Sequence, residues 1–334
     1  MATKLQFGLM GLPRSVRETV ELAREAEESG YTWLGVADSP TVYQESYLHQ
    51  AEALRATTRL QVGPMASHVV VRHPVIVANL LATLSEMFGN RVIGTVATGN
   101  SGARGLGIQP TTVHELEQAV SAIRGYFAGT GGAFGASLIP ATGIVRAAPP
   151  VTIAGDGPRV AELAGRVADG FLYGGSMNSQ ALSRRAAAGR TRAGQMLWAG
   201  PSVSLAATVD GVLNDMGAMA VAMANRAFRG DLDERGVPKS LHNDVRSMWQ
   251  RYDYAFHADS RRPRNLEIIS HQLAEHLVQN FVVWGDEVRW HMQLEALATE
   301  GFDGVMFILG QGEQLNVARK VTTRLRQLGY LPRN

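Results

Sequence analysis

The feature that most constrains this chain is a repeated change of hydrophobic period. Short apolar runs of β type alternate with longer helical stripes over almost the whole length. Runs at residues 5–9, 33–36, 60–65, 92–97, 151–154, 170–173, 203–209 and 304–309 read as eight strands. Between them Val16, Val20, Ala23 and Ala26 share one helical face, and Gly30 follows where a helix C-terminus favours glycine. Leu116, Ala119, Val120, Ile123 and Phe127 form a second stripe, and Val317, Val321, Leu325 and Leu328 a third. Strands apolar on both faces and separated by helices imply a parallel sheet covered all round. Eight such units close into a (β/α)₈ TIM barrel, with an open doubly wound sheet as the competing arrangement. A length of 334 residues suits one barrel domain spanning 1–334, and a 45% apolar content supplies its core.

Two stretches break the rhythm. Residues 129–150 are rich in Gly, Ala and Pro and read as a loop or hairpin excursion. Residues 218–285, between the seventh and eighth strands, read as a helical insertion. It carries Trp249, Tyr252, Tyr254 and Phe256, which either cover a flat or apolar substrate or pack into a small core or dimer contact.

Several classes of function are disfavoured. The chain has no cysteine, so thiolate metal sites, disulfides and thiol nucleophiles are absent. No apolar run reaches the roughly 18 residues a membrane span needs, and the first residues lack a secretory pattern, so a cytoplasmic protein is expected. The formal charge is +2, and the cluster Arg261, Arg262 and Arg264 reads as a solvated turn, so no nucleic acid partner is expected. There is neither a Gly-x-Gly-x-x-Gly fingerprint nor a Walker lysine. His73, just before Pro74, reads as a helix cap. His257, His271, His276 and His291 read as surface or insertion-packing residues, and no spacing suggests a metal site.

A barrel of this kind carries its site at the C-terminal ends of the strands. That selects Asp38-Ser39-Pro40, residues 65–68, residues 98–101, Gly155-Asp156-Gly157-Pro158 and Gly174-Gly175-Ser176. Gly155 to Pro158 leaves a strand and starts a helix, where open N–H groups attract an anion. Asp156 must then turn its carboxylate away, and a plain glycine-rich turn without a ligand fits the same residues.

Residues 63–74 (GPMASHVVVRHP), with Ala82-Thr83-Leu84-Ser85-Glu86, resemble the third-strand region of luciferase-like flavin oxidoreductases. Gly155 to Arg159, followed by Ala164-Gly165 and Ala168-Asp169-Gly170, is similar to that family's phosphate segment, and residues 301–305 resemble its closing strand. The resemblance implies a non-prolyl cis peptide at Met65–Ala66 beneath a flavin ring. Thr98, Gly99 and Asn100 would face the ribityl chain or pyrimidine edge, Asp38 would belong to the cofactor site, and Gly155, Asp156, Gly157, Gly174, Gly175 and Ser176 would surround the phosphate. Asn100 and His68 are the candidate catalytic residues, although Asn100 fits a helix N-cap equally well. Two positions depart from the family: Ser39 stands where the F420 branch often has histidine, and Asn100 where aspartate is common. The resemblance implies a two-component monooxygenase that uses reduced FMN (FMNH2) and O2 on a small organic substrate. A separate flavin reductase would supply the FMNH2, and a homodimer or higher homo-oligomer is expected. The alternatives are an F420-dependent reductase or dehydrogenase, a non-catalytic flavin-binding protein, and a barrel enzyme without flavin.

Overall fold

The computed structural model describes residues 5–259, 261–310 and 312–333. Its strands are β1 (Gln6–Gly11), β2 (Trp33–Ala37), β3 (Gln61–Met65), β4 (Ser67–His68), β5 (Gly94–Ala97), β6 (Gly132–Phe134) and β7 (Ser137–Ile139). They continue with β8 (Val151–Gly155), β9 (Gly170–Tyr173), β10 (Met196–Ala199), β11 (Ser202–Val203), β12 (Val282–Val283) and β13 (Gly304–Ile308). The parallel pairing runs β3-β2-β1-β13-β10-β9-β8-β5-β4. Only Ala66 separates β3 from β4, so the path returns to its start as a (β/α)₈ barrel. A bridge between Val62 and Val92 reinforces that seam.

Local chemistry accounts for many of the elements. The helix Val16–Ser29 ends at Gly30, whose φ of 90° is a left-handed conformation open to glycine at little cost. Thr112 and Glu115 form a reciprocal capping box that starts the helix Val113–Ala128. The excursion after that helix is the antiparallel hairpin β6–β7. His73 caps the helix Pro74–Phe88 by accepting from the Val75 N–H at 3.3 Å.

The seventh strand departs from the sequence reading of 203–209. It is β10, extended after Gly200-Pro201 by the two residues of β11. Thr208 instead caps the helix Val209–Ala227, its hydroxyl accepting from the Gly211 N–H. The run after Val203 is apolar enough for a strand, but only Ser202 and Val203 find parallel partners, in β12 and β13. The insertion therefore starts nearer Val209 than Ala218, and the pair Val282–Val283 returns from it to the sheet edge.

The core has three parts. One lies between the sheet and its helices, with Phe7, Leu34, Leu81, Ile123, Phe171 and Phe307 fully buried. A second fills the insertion around Val212, Phe228, Met248 and Phe281. The third gathers Trp33, Ile93, Leu172, Trp198 and Met306 from around the barrel, with Trp33 and Trp198 edge-to-face at 5.2 Å. Four of these come from different strands and Ile93 immediately precedes β5, so packed together they fill the lumen, and what rests above them is the floor of a site. No helix among the described residues is long and apolar enough to cross a membrane.

Candidate active site

A cavity of about 290 Å³ opens at the C-terminal strand ends. Met10, Met65, Ala154, Leu172 and Met306 line it from below and also touch the lumen group, so its floor is apolar. The insertion supplies the opposite wall: Met219, Met223, Arg226 and Arg229 from its first helix and the residues just after it, then Arg235, His257 and Ala258.

Of the residues singled out by sequence, Met65, Ala66, His68, Thr98, Gly99, Asn100, Gly155, Asp156, Gly157 and Gly174 all line this cavity. The Met65–Ala66 peptide is cis, as the resemblance implies. Asp38 stands behind the wall, where its carboxylate accepts from Arg72 Nε and Nη2 at 2.9 Å each and from the Ser67 hydroxyl at 2.8 Å. Its neighbour Ser39 reaches the cavity, with its hydroxyl 3.0 Å from that of Ser101. Gly175 and Ser176 line a small adjoining recess. The Ser176 hydroxyl is already engaged by Asn280 Oδ1 at 2.8 Å and Asn178 Nδ2 at 3.1 Å.

His68 is buried, and its Nδ1 has no hydrogen-bond partner. Burial pushes the imidazole pKa down to about 4, with Arg226 and Arg72 adding to the shift and Asp38 opposing it. The ring is therefore neutral at physiological pH. Asn100 occupies the N-cap position of the short helix Ser101–Arg104, yet its side chain makes no capping bond. Its Oδ1 instead accepts from the Tyr254 hydroxyl at 3.3 Å, a link between the fourth barrel strand and the insertion.

The Gly155–Pro158 turn leaves the N–H groups of a helix start open toward the cavity. Gly157 is the N-cap of the helix Pro158–Val167, with proline at the start and no side-chain cap. Asp156 turns to Arg226, which donates to its two oxygens at 2.7 and 3.1 Å, so the awkward carboxylate is neutralised. A Cβ on Gly157 would lie 2.9 Å from the Arg235 guanidinium, which places a cation against the open turn. Arg235 Nη1 is buried without a partner. Burial and the positive Arg104 both hold the pKa of Arg229 below its ordinary value, although its contact with Tyr254 opposes this.

Arg226, Arg229, Arg235 and His257 were not among the residues selected from sequence. Arg226 and Arg229 stand three apart, a spacing that puts both on one helical face, and that is the only local sign of them. His257, read from sequence as a surface or packing residue, packs on Tyr252 and Tyr254 within the insertion, as that reading allows, and it also lines the cavity. The other three fit that reading: His271 is exposed beside Glu275, His276 packs near Phe228, and His291 lies by Tyr330. Among the described residues no cluster of His, Asp and Glu is arranged to hold a metal ion.

Fold and site together define a closed parallel barrel with a basic, glycine-walled recess, an apolar floor and a cis peptide at its strand ends. The chain belongs to the luciferase-like monooxygenase family, whose family model matches residues 2–304. It is 26% identical over 204 residues to a 5,10-methylenetetrahydromethanopterin reductase of Methanolobus tindarius, covering 57% of this chain and 61% of that one. It is 32% identical over 181 residues to an F420-dependent glucose-6-phosphate dehydrogenase of Mycolicibacterium gilvum, covering 47% and 52% respectively. These matches thus span only half to three-fifths of the relatives' lengths. The fold matches the coenzyme F420 dependent tetrahydromethanopterin reductase of Methanopyrus kandleri with a TM-score of 0.72 at 17% identity, covering 96% of this chain and 98% of that one. It also matches the FMN-bound oxygenating constituent of 3,6-diketocamphane monooxygenase of Pseudomonas putida, with a TM-score of 0.61 at 16% identity over 96% of both chains.

Proposed function

We propose that this protein is an F420-dependent oxidoreductase acting on a small organic substrate. The observation that carries the reading is the lining of the cavity: Met10, Met65, Met219, Met223 and Met306 surround the place a ring would occupy. Thioethers are readily oxidised to sulfoxides, and a pocket that handled peroxide would put five of them beside the oxidant. The same soft, polarisable walls suit a flat ring that exchanges hydride. The F420-dependent relative supports the same choice.

The residues present fit such a cofactor. The apolar floor and the Met65–Ala66 bulge would support the ring, while Thr98, Gly99 and Asn100 would meet its polar edge. Gly155, Gly157, Gly174 and Arg235 would hold the phosphate of its side chain, since the turn presents the N–H groups of a helix start and Arg235 Nη1 is buried without a protein partner. When bound, the deazaflavin supplies the hydride-accepting or hydride-donating carbon. The protein's part is to bind and orient, to keep water out beneath the insertion, and to present the neutral His68 and Asn100 to ring and substrate.

The second reading is an FMNH2- and O2-using monooxygenase, fed by a separate reductase. Asn100 favours it, because a neutral amide adds no negative charge beside a reduced flavin. An anaerobic titration compares the two cofactors directly. F420 binding with substrate-dependent loss of its absorbance supports the first reading. FMNH2 binding with oxygen uptake, and no affinity for F420, overturns it.

A further inference from the structure

We propose that His257 donates a hydrogen bond to an oxygen atom of the substrate, so that the cavity selects a carbonyl or hydroxyl carbon to lie over the cofactor ring. The substrate class deepens the reading above and rests on it for the ring. The histidine's own geometry does not.

His257 follows the 3₁₀ turn Tyr254–Phe256 of the insertion and lines the cavity. The Tyr252 hydroxyl lies 2.6 Å from its Nδ1. Among the described residues that phenol has no other acceptor, and a buried hydroxyl gives up its proton to a partner where one exists. Nδ1 therefore accepts, and in the neutral ring Nε2 carries the hydrogen. Nε2 makes no hydrogen bond to the described residues, and His257 stands in the cavity wall. The Tyr254 ring stacks on the imidazole with centroids 6.0 Å apart at 16°, which fixes its plane.

Two further facts support a built site. Ala258, the next residue and also in the cavity wall, has φ 54°, and among the described residues it is the only non-glycine with positive φ. Alanine pays for that conformation, and such outliers gather where a side chain must be aimed. The groups facing His257 are Tyr252, Tyr254, His68 and Arg226. Burial first, then the positive Arg226, with His68 adding repulsion once both rings protonate, push its pKa down to about 4. A neutral imidazole can hold and polarise a carbonyl or hydroxyl oxygen through its Nε2–H while keeping that proton, so its part is to orient the substrate oxygen. Two neutral imidazoles, His68 and His257, thus enter one cavity from the barrel and from the insertion.

The first measurement needs no cofactor. In the full chain labelled with ¹⁵N-histidine, the His257 signals are assigned by their loss in His257→Leu. They should show unprotonated Nδ1 and protonated Nε2 down to pH 5, with Tyr252→Phe releasing the other tautomer. Saturating acetone, used as the probe, should shift Nε2. A ring that titrates near its ordinary pKa, or one indifferent to acetone, overturns the proposal. The second measurement is F420-coupled turnover of acetone and 2-propanol. His257→Leu should lose about 100-fold in kcat/KM, the scale of one lost donor. His257→Gln, which keeps an N–H near the same place, should recover most of it, and F420 affinity should stay constant. Turnover by His257→Leu at the wild-type rate also overturns the proposal. If the wild type binds no F420 while the tautomer and the acetone shift are as stated, the cofactor reading fails and the oxygen subsite stands.

Discussion

Replacing Gly157 with aspartate tests whether the Gly155–Pro158 turn holds a phosphate. The new carboxylate would stand at the helix start and take Arg235, whose guanidinium lies 2.9 Å from the position of the added Cβ. Two unit charges about 4 Å apart repel by about 4 kcal/mol at an effective dielectric near 20. The recess is open to water, and Arg226 and Arg229 remain beside it, so at most half of that survives. About 1.5–2 kcal/mol is expected, a loss of roughly 10- to 30-fold in affinity. The assay is fluorescence titration with paired ligands, F420 against its side-chain-free deazaflavin core and FMN against riboflavin. Only the phosphate-bearing member of each pair should weaken. Gly157→Ala separates charge from bulk. Its Cβ meets only the flexible end of Arg235, so all four affinities should stay within about threefold, a change of less than 1 kcal/mol. Equal losses for FMN and riboflavin, or an alanine variant as weak as the aspartate one, would refute the reasoning.

Other expectations follow from the same geometry. Arg72→Met leaves the buried Asp38 carboxylate with only the Ser67 hydroxyl, and should cost about 3–5 kcal/mol in urea unfolding; a cost below 1 would show that the pair is dispensable. His68 and His257 have folded-state pKa values near 4, below the unfolded value, so their stabilising contribution is complete above about pH 6.5 and is lost as pH falls toward 4. Unfolding free energy should therefore drop over that window by up to about 1.4 kcal/mol per pH unit for each histidine; an unchanged slope in a His68→Asn, His257→Asn double variant would contradict this. Tyr254→Phe removes the hydroxyl that links Asn100 to the insertion and should cost about 1 kcal/mol of stability; wild-type stability and unchanged amide-exchange rates in the insertion would show that the link does not hold it down. Phenylalanine is the right probe here, because Tyr252 beside it is buried in the insertion's core and truncation to alanine there would open a cavity.

Sequence alone determined the elements whose causes are local. The alternation of apolar runs and helical stripes implied the parallel barrel, Gly30 ended the first helix, and the Gly-Ala-Pro stretch became the hairpin. Glycine-rich strand ends marked most of the cavity, and the resemblance around residues 63–74 set the register of the cis bond. The seventh strand was misread because an apolar run does not say whether an edge is free to pair with it: Met196–Ala199 found neighbours in β9 and β13, whereas residues 205–208 join no strand, the Ala206 carbonyl accepting a bond from the Gly285 N–H. The other wall of the site was invisible for a related reason. Arg226 reaches Asp156 across 70 residues, and Tyr254 reaches Asn100 across 154. No window of sequence contains both members of either pair. Periodicity and caps act over a few residues and can be read there, but a cation becomes part of an anion site only when tertiary packing carries it to the open N–H groups of another element.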